Sequence, residues 1–296
     1  MITTRAIPFV LALITVSMGL PSALAAKPKD NVCDLVIQEL GEAKVNGYDA
    51  LSGGDYLEPI RLRLRNRGDA PCNGVLRIMR VASFDKLDGP HNNRMDYRIV
   101  DPANISALLL DPLTQQGQML PISVNANSTV EIRPRLLVPG GQPGRQGRYA
   151  ATLLASVDLG RDIDPAETEL TVSAQVQSRA QANFVGGRNA LLDLGELAPA
   201  VTRTINMQVR ATADIDIQIS SEHHGQLQHA SGAKQIPYSM TVNNRVINLD
   251  LDDSILMPLT NGIRGQNLPV TVTVGEFSNA PVGEYGDIVT FTISAR

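Results

Sequence analysis

Apolar and polar residues alternate along the closing stretch of the chain. Tyr285, Val289, Phe291 and Ile293 fall on one face with Asp287 as the only polar member, while Ile288, Thr290, Thr292 and Ser294 fall on the other. A period of two marks a half-buried strand. The same pattern, opened by the same Gly-x-Tyr, begins at Gly147-Arg-Tyr149 and runs to Val157. There a further alternating segment follows: Leu170, Val172, Ala174 and Val176 share one face, and Thr171, Ser173, Gln175 and Gln177 share the other. The strand at 147 is thus expected to have a partner later in the chain, and the strand at 285 to have none.

Shorter alternating runs fill the rest. Residues 60–67 alternate cleanly, 74–81 and 124–137 less strictly, and after residue 180 come 201–209, 215–219, 236–242, 246–251 and 270–274. Turn signals such as 67–71, 139–144 and Asn243-Asn244 separate them. Many short strands at this spacing predict an all-β protein built as a sandwich or barrel. The one helical expectation is a short turn over 105–113, stopped by Pro112. The two Gly-x-Tyr strands divide the chain into units of similar length.

Composition narrows the picture. Residues 1–25 read as a secretory signal: Arg5 supplies the positive end, 7–20 the apolar stretch, and Ala23-Leu24-Ala25 the small residues of a cleavage site. Export makes a Cys33–Cys72 disulfide the simplest reading of the two cysteines. With no Trp and 4% aromatic residues, Leu, Val, Ile and Ala must fill the core. A net charge of −4 argues against a nucleic-acid partner, which would call for a basic excess.

Leu170 to Val176, Leu191-Leu-Asp-Leu-Gly-Glu-Leu197, Ile236-Pro-Tyr-Ser-Met240 and Gly283 to Ile293 together resemble the spore coat protein U domain, the subunit domain of archaic chaperone–usher pili, over residues 168–296. The family usually carries a cysteine near the start of this domain, where the present chain has Gln181-Ala-Asn183. The resemblance implies two tandem immunoglobulin-like β-sandwich domains, the second lacking its last strand. A periplasmic pilus chaperone, and later an adjacent pilin subunit, would supply that strand, with an outer-membrane usher as the assembly partner. Domain one is expected over 27–177, completed in cis by a donor strand at 169–177 carrying Leu170, Val172, Ala174 and Val176. Domain two, over 178–296, would use Tyr285, Val289, Phe291 and Ile293 as one wall of an acceptor groove. Residues 26–32 carry two lysines and a proline and no alternating apolar face, so no donor strand is expected there. A subunit that accepts a strand and gives none resembles the two-domain tip adhesins of these pili, exported to the periplasm and then displayed on the surface. A shaft or adaptor subunit, or a self-contained secreted β-sandwich binding protein, is the alternative.

Two features are candidates for contact with a host or abiotic surface. Arg61, Arg63 and Arg65 line one face of a strand; they read as a basic stripe for an anionic ligand or as a solvated face whose long cations discourage strand pairing. Leu108, Leu109 and Leu110 read as apolar loop residues or as core strand ends. His223, His224 and His229 cluster in sequence, but adjacent histidines on a strand point to opposite faces, so a polar loop is expected rather than a metal site. Asp250, Asp252 and Asp253 lack the ordered spacing of a calcium loop. No nucleophile elbow, zinc signature or phosphate-binding Gly loop occurs, so neither an enzyme nor a cofactor is expected.

Overall fold

The computed structural model describes residues 32–81, 85–160, 163–260 and 262–296. The signal segment 1–25 and residues 26–31 lie outside them. Among the described residues the chain runs through twenty-four strands and two short 3-10 turns. The first fourteen are β1 (Leu35–Glu39), β2 (Ala43–Tyr48), β3 (Tyr56–Pro59), β4 (Leu62–Asn66), β5 (Cys72–Arg80), β6 (Leu87–Asp88), β7 (Arg94–Met95), β8 (Arg98–Val100), β9 (Leu108–Leu110), β10 (Leu120–Val124), β11 (Thr129–Ile132), β12 (Arg135–Val138), β13 (Gly147–Asp158) and β14 (Ala166–Val176). The rest are β15 (Ala180–Phe184), β16 (Thr202–Ala211), β17 (Ile215–Ser221), β18 (Gln226–His229), β19 (Gln235–Val242), β20 (Arg245–Ile247), β21 (Asp253–Met257), β22 (Gln266–Val274), β23 (Tyr285–Gly286) and β24 (Val289–Ala295).

These strands form two β-sandwiches in tandem, each around its own apolar core. The first core draws on residues from Leu35 to Val176 and the second on residues from Met207 to Val274. In the first sandwich one sheet has the order β10-β5-β13-β14-β2. Facing it, β1-β4-β11 continues into β3-β12-β8-β9 through bends at Ile60 and Pro134, bridged by Ile60 N–H donating to Pro134 O at 2.7 Å. Alternation works as its period requires: Leu62 and Leu64 are fully buried while Arg61, Arg63 and Arg65 face solvent. The one polar side chain buried on β4, Asn66, donates to Ala70 O, Val124 O and Asn125 O and accepts from Gly68 N–H.

Both Gly-x-Tyr motifs prove to be tyrosine corners, in which the phenol bonds back to the backbone just upstream of a strand, a mark of immunoglobulin-like sandwiches. Tyr149 OH donates to Arg145 O and Tyr285 OH to Pro281 O, each at 2.9 Å. The leading glycines hold φ of +135° and +157°, where a Cβ would strike Pro90 or His229.

Several local expectations are corrected. Residues 105–113 form no helix: Asp101 and Asn104 side chains capture the N–H groups of Ala103 and Ser106, and β9 pairs with β8 instead. The run 124–137 is broken by a turn at Asn125–Ser128 and again at Arg133–Pro134 into β10, β11 and β12. Strand 246–251 is only Arg245–Ile247, because a loop closes after it: Asn248 N–H donates to Asp253 Oδ2 and Asp250 N–H to Asn248 Oδ1.

The sandwiches are joined closely. Between β14 and β15 lies only 177–179, gripped by buried Thr212, whose Oγ1 donates to Gln177 O at 2.7 Å and accepts from Arg179 N–H at 2.9 Å. Gln146 N–H donates to Thr212 O, Arg145 Nη2 to Leu259 O, and Ile263 packs against the first core.

Cys33 and Cys72 are bonded, with Cα atoms 5.2 Å apart. Cys33 leads into β1 and Cys72 opens β5, so the bridge staples one sheet of the first sandwich to the other. Closing a loop of sequence separation 39 is worth about 4 kcal/mol in the chain-entropy account. Cys33→Ser with Cys72→Ser is expected to lower the urea-unfolding free energy of the first sandwich by roughly that amount. The transition of the second sandwich should stay unmoved.

Candidate functional site

Strand order exposes the site. In the first sandwich β13 has β5 on one flank and β14 on the other, and β14 in turn lies parallel to β2. In the second sandwich the corresponding sheet reads β21-β17-β24 and stops. β24 pairs antiparallel with β17 from Ser221↔Val289 to Ile215↔Ala295. Among the described residues no strand pairs with its other edge.

Side-chain burial follows the same asymmetry. On β13, Tyr149, Leu153, Ala155 and Val157 are 0% exposed, covered by Leu170, Val172 and Ala174 at 0% and Val176 at 1%. On β24, Val289, Phe291 and Ile293 point inward and remain only half-buried. Across the gap stands β15, the edge of the facing sheet, whose Ala180, Ala182 and Phe184 are likewise half-buried. Phe184 and Phe291 touch edge to face with centroids 5.9 Å apart. Beyond β15, Leu192, Leu194 and Leu197 pack half-buried on the second core from a stretch that forms no strand. The slot therefore has an unpaired backbone edge and a row of incompletely covered apolar side chains. Finishing their burial is worth about 1 kcal/mol per side chain, half the full-burial figure. That is several kcal/mol against a whole-domain stability of about 5–15 kcal/mol.

Tyr285 does not belong to this wall. It sits on β23, paired with His229 of β18, and β23 and β15 lie at opposite ends of the larger sheet. Its ring packs edge-on to His229 at 4.9 Å. The chain changes sheets between Tyr285 and Val289, and Asp287 fixes the crossover. Its buried carboxylate accepts from Ser221 Oγ and Tyr238 OH at 2.6 Å, from His223 N–H at 3.0 Å and from Ile288 N–H at 2.8 Å. His223 Nδ1 also lies 3.1 Å from it. The single polar residue in the alternating pattern is thus the anchor that holds the start of β24 in place.

The other candidates separate. Arg61, just before β4, and Arg63 and Arg65 on it form an exposed row. Leu109 and Leu110 are buried in the first core, at 4% and 3% exposure, and Leu108 is half-buried. They are core residues rather than surface contacts, because pairing with β8 turns β9 inward at the sheet edge. His223 and His229 bond to Asp287 and Ser231, and Asp253 binds backbone N–H groups. Among the described residues no three such side chains gather into a metal-binding group.

No protein-family model matches the chain, and no curated protein matches it. Among solved structures it is similar to a chain of the CsuC–CsuE chaperone–tip adhesion subunit pre-assembly complex from the archaic chaperone–usher Csu pili of Acinetobacter baumannii. There the identity is 13%, the match covers 89% of this chain and 100% of that one, and the TM-score is 0.45. It is also similar to the CupB6 tip adhesin from Pseudomonas aeruginosa, at 12% identity over 88% of this chain and 96% of that one, TM-score 0.38. At these values neither assigns a role to a residue here.

Burial alone would raise the pKa of Asp287, but the bonds it accepts from Ser221, Tyr238, His223 and Ile288 outweigh that and hold it below the ordinary carboxylate value. A depressed folded-state pKa contributes stability that is complete above the unfolded value and is lost as pH falls through the folded one. Asp287→Asn is therefore expected to destabilise the second sandwich by about 2 kcal/mol at neutral pH. The gap from wild type should shrink below pH 3.8 as the wild-type carboxyl protonates, read by chemical denaturation across a pH series.

Proposed function

We propose that this protein is a subunit of a chaperone–usher pilus, placed at its tip, whose second sandwich accepts a donor strand. One observation carries the reading: the same chain holds a filled slot and an empty one. β14 lies between β13 and β2 in the first sandwich, and among the described residues no strand occupies the equivalent flank of β24. Leu170, Val172, Ala174 and Val176 act as the donor side chains of the first sandwich. Val289, Phe291 and Ile293, with Phe184 opposite, form the acceptor walls of the second.

Donor-strand addition uses main-chain pairing for affinity and alternate side chains for fit. The bare slot meets both requirements, and the resemblance of residues 168–296 to the spore coat protein U domain points the same way. The strand would come first from a periplasmic pilus chaperone and then from an adjacent pilin subunit, after export and delivery to an outer-membrane usher. Tip placement is supported by β14: the segment with donor character lies inside its own sandwich, and on this reading the first sandwich contacts a host or abiotic surface. This is a role in binding and assembly rather than catalysis.

The test uses the full mature chain and a peptide of residues 169–177 as a surrogate donor. Excess peptide is expected to raise the melting temperature of the second sandwich by about 5 °C or more. Phe291→Asp or Ile293→Asp should abolish that shift. A chain that is monomeric and soluble in the periplasm without any chaperone, and indifferent to the peptide, would overturn the acceptor reading. Completion of the first sandwich is tested separately: residues 27–177 should fold, and 27–165, which lack β14, should not.

A further inference from the structure

Arg61, Arg63 and Arg65 alternate with buried Leu62 and Leu64, so their side chains leave the backbone on one face at intervals of about 7 Å. Two ordinary explanations account for basic residues on a strand. One is protection of a free edge, but β4 is hydrogen-bonded on both sides, to β1 and to β11. The other is charge pairing across the sheet. The neighbours in register are Gln38 and Glu131 beside Arg63, and Val36 and Thr129 beside Arg65. Glu131, the only carboxylate in register with the row, bonds Arg133 Nε at 2.9 Å. Among the described residues no side-chain hydrogen bond or ion pair reaches Arg61, Arg63 or Arg65. A chain of net charge −4 thus keeps three arginines without a bonded side-chain partner in one line, two on a strand paired on both sides and Arg61 at its start.

We propose that this row is a binding site for a linear anionic polysaccharide bearing carboxylate or sulfate groups along its length. The planar guanidinium offers two parallel N–H donors that match those oxyanions. The row lies on an open sheet face and follows the axis of β4, which suits an extended polymer crossing the cations in succession. Each contact is weak in water, and the succession supplies the affinity. A single-stranded nucleic acid fits less well, because no aromatic side chain stands among Val36, Gln38, Thr129 and Glu131 to stack a base. The inference names a ligand class for the surface contact assigned above to the first sandwich, and in that respect rests on the pilus reading. It makes no use of the slot, so the two fail separately: the donor peptide reports on the slot and the polyanion on the row.

The experiment measures binding of heparin, as a sulfated polysaccharide probe, to the full mature chain with and without the donor peptide. Neutral dextran and a single-stranded oligonucleotide serve as comparators. Heparin should bind, more weakly as salt rises, and dextran should not. Replacing Arg61, Arg63 and Arg65 together by Ala should weaken heparin binding about 100-fold, roughly fivefold per exposed contact, at unchanged melting temperature. Arg77→Ala, on the opposite sheet, should leave it intact. Arg63→Lys, which keeps the charge and removes the fork, should cost a few-fold and serves if the triple variant does not fold. Wild-type chain that ignores heparin, or a triple variant that binds it equally, would overturn the site. Tighter oligonucleotide binding with the same arginine dependence would overturn the assignment of its occupant.

Discussion

A strand in a sandwich core needs backbone partners along its flanks and side chains above its inner face, and β24 has half of each. Everything distinctive about the second sandwich follows from that deficit. Val289, Phe291 and Ile293 are aligned as a core face and yet remain half-exposed, as do Ala182 and Phe184 across from them. The first sandwich shows what satisfaction looks like under the same architecture, since Tyr149, Leu153, Ala155 and Val157 of β13 are fully buried alongside β14. An edge that is apolar and unpaired is an aggregation hazard for a free chain and a recognition site for a chain with a partner.

Such an edge must also be kept in position while it is bare. Asp287 does this at one end of β24, drawing Ser221, Tyr238 and His223 onto a single carboxylate. At the other end Arg296 bonds buried Asp216 at 2.6 Å, and its N–H donates to Asp214 O. Polar fixation at both ends, with an apolar row between, leaves the slot pre-shaped rather than collapsed. Less order would then be lost if a strand were added there.

Much of this was legible in the order of residues, because alternation with a period of two is dictated by strand geometry itself. The paired Gly-x-Tyr motifs located the two equivalent strands, and the stretch 169–177 stood out as a strand following only the first. The failures come from contacts that alternation does not encode. Tyr285 continues the inward pattern of β24 in sequence, but the crossover at Asp287 delivers it to another sheet. Leu108, Leu109 and Leu110 looked as suited to a loop as to a core, and only their pairing with β8 decides for the core. Asn66 and Thr212, polar and buried, owe their places to hydrogen bonds with residues far along the chain.

The connector at 177–179 has a mechanical meaning. Tension along the covalent connector enters the first sandwich through Gln177, just past the end of β14, where Thr212 holds the junction. A pull along β14 acts nearly perpendicular to its ladder bonds. It therefore loads the whole ladder, from Val157↔Ala166 to Gly147↔Val176, in shear rather than peeling one pair at a time. The strand that completes the first sandwich is also the tether by which the molecule would bear a load.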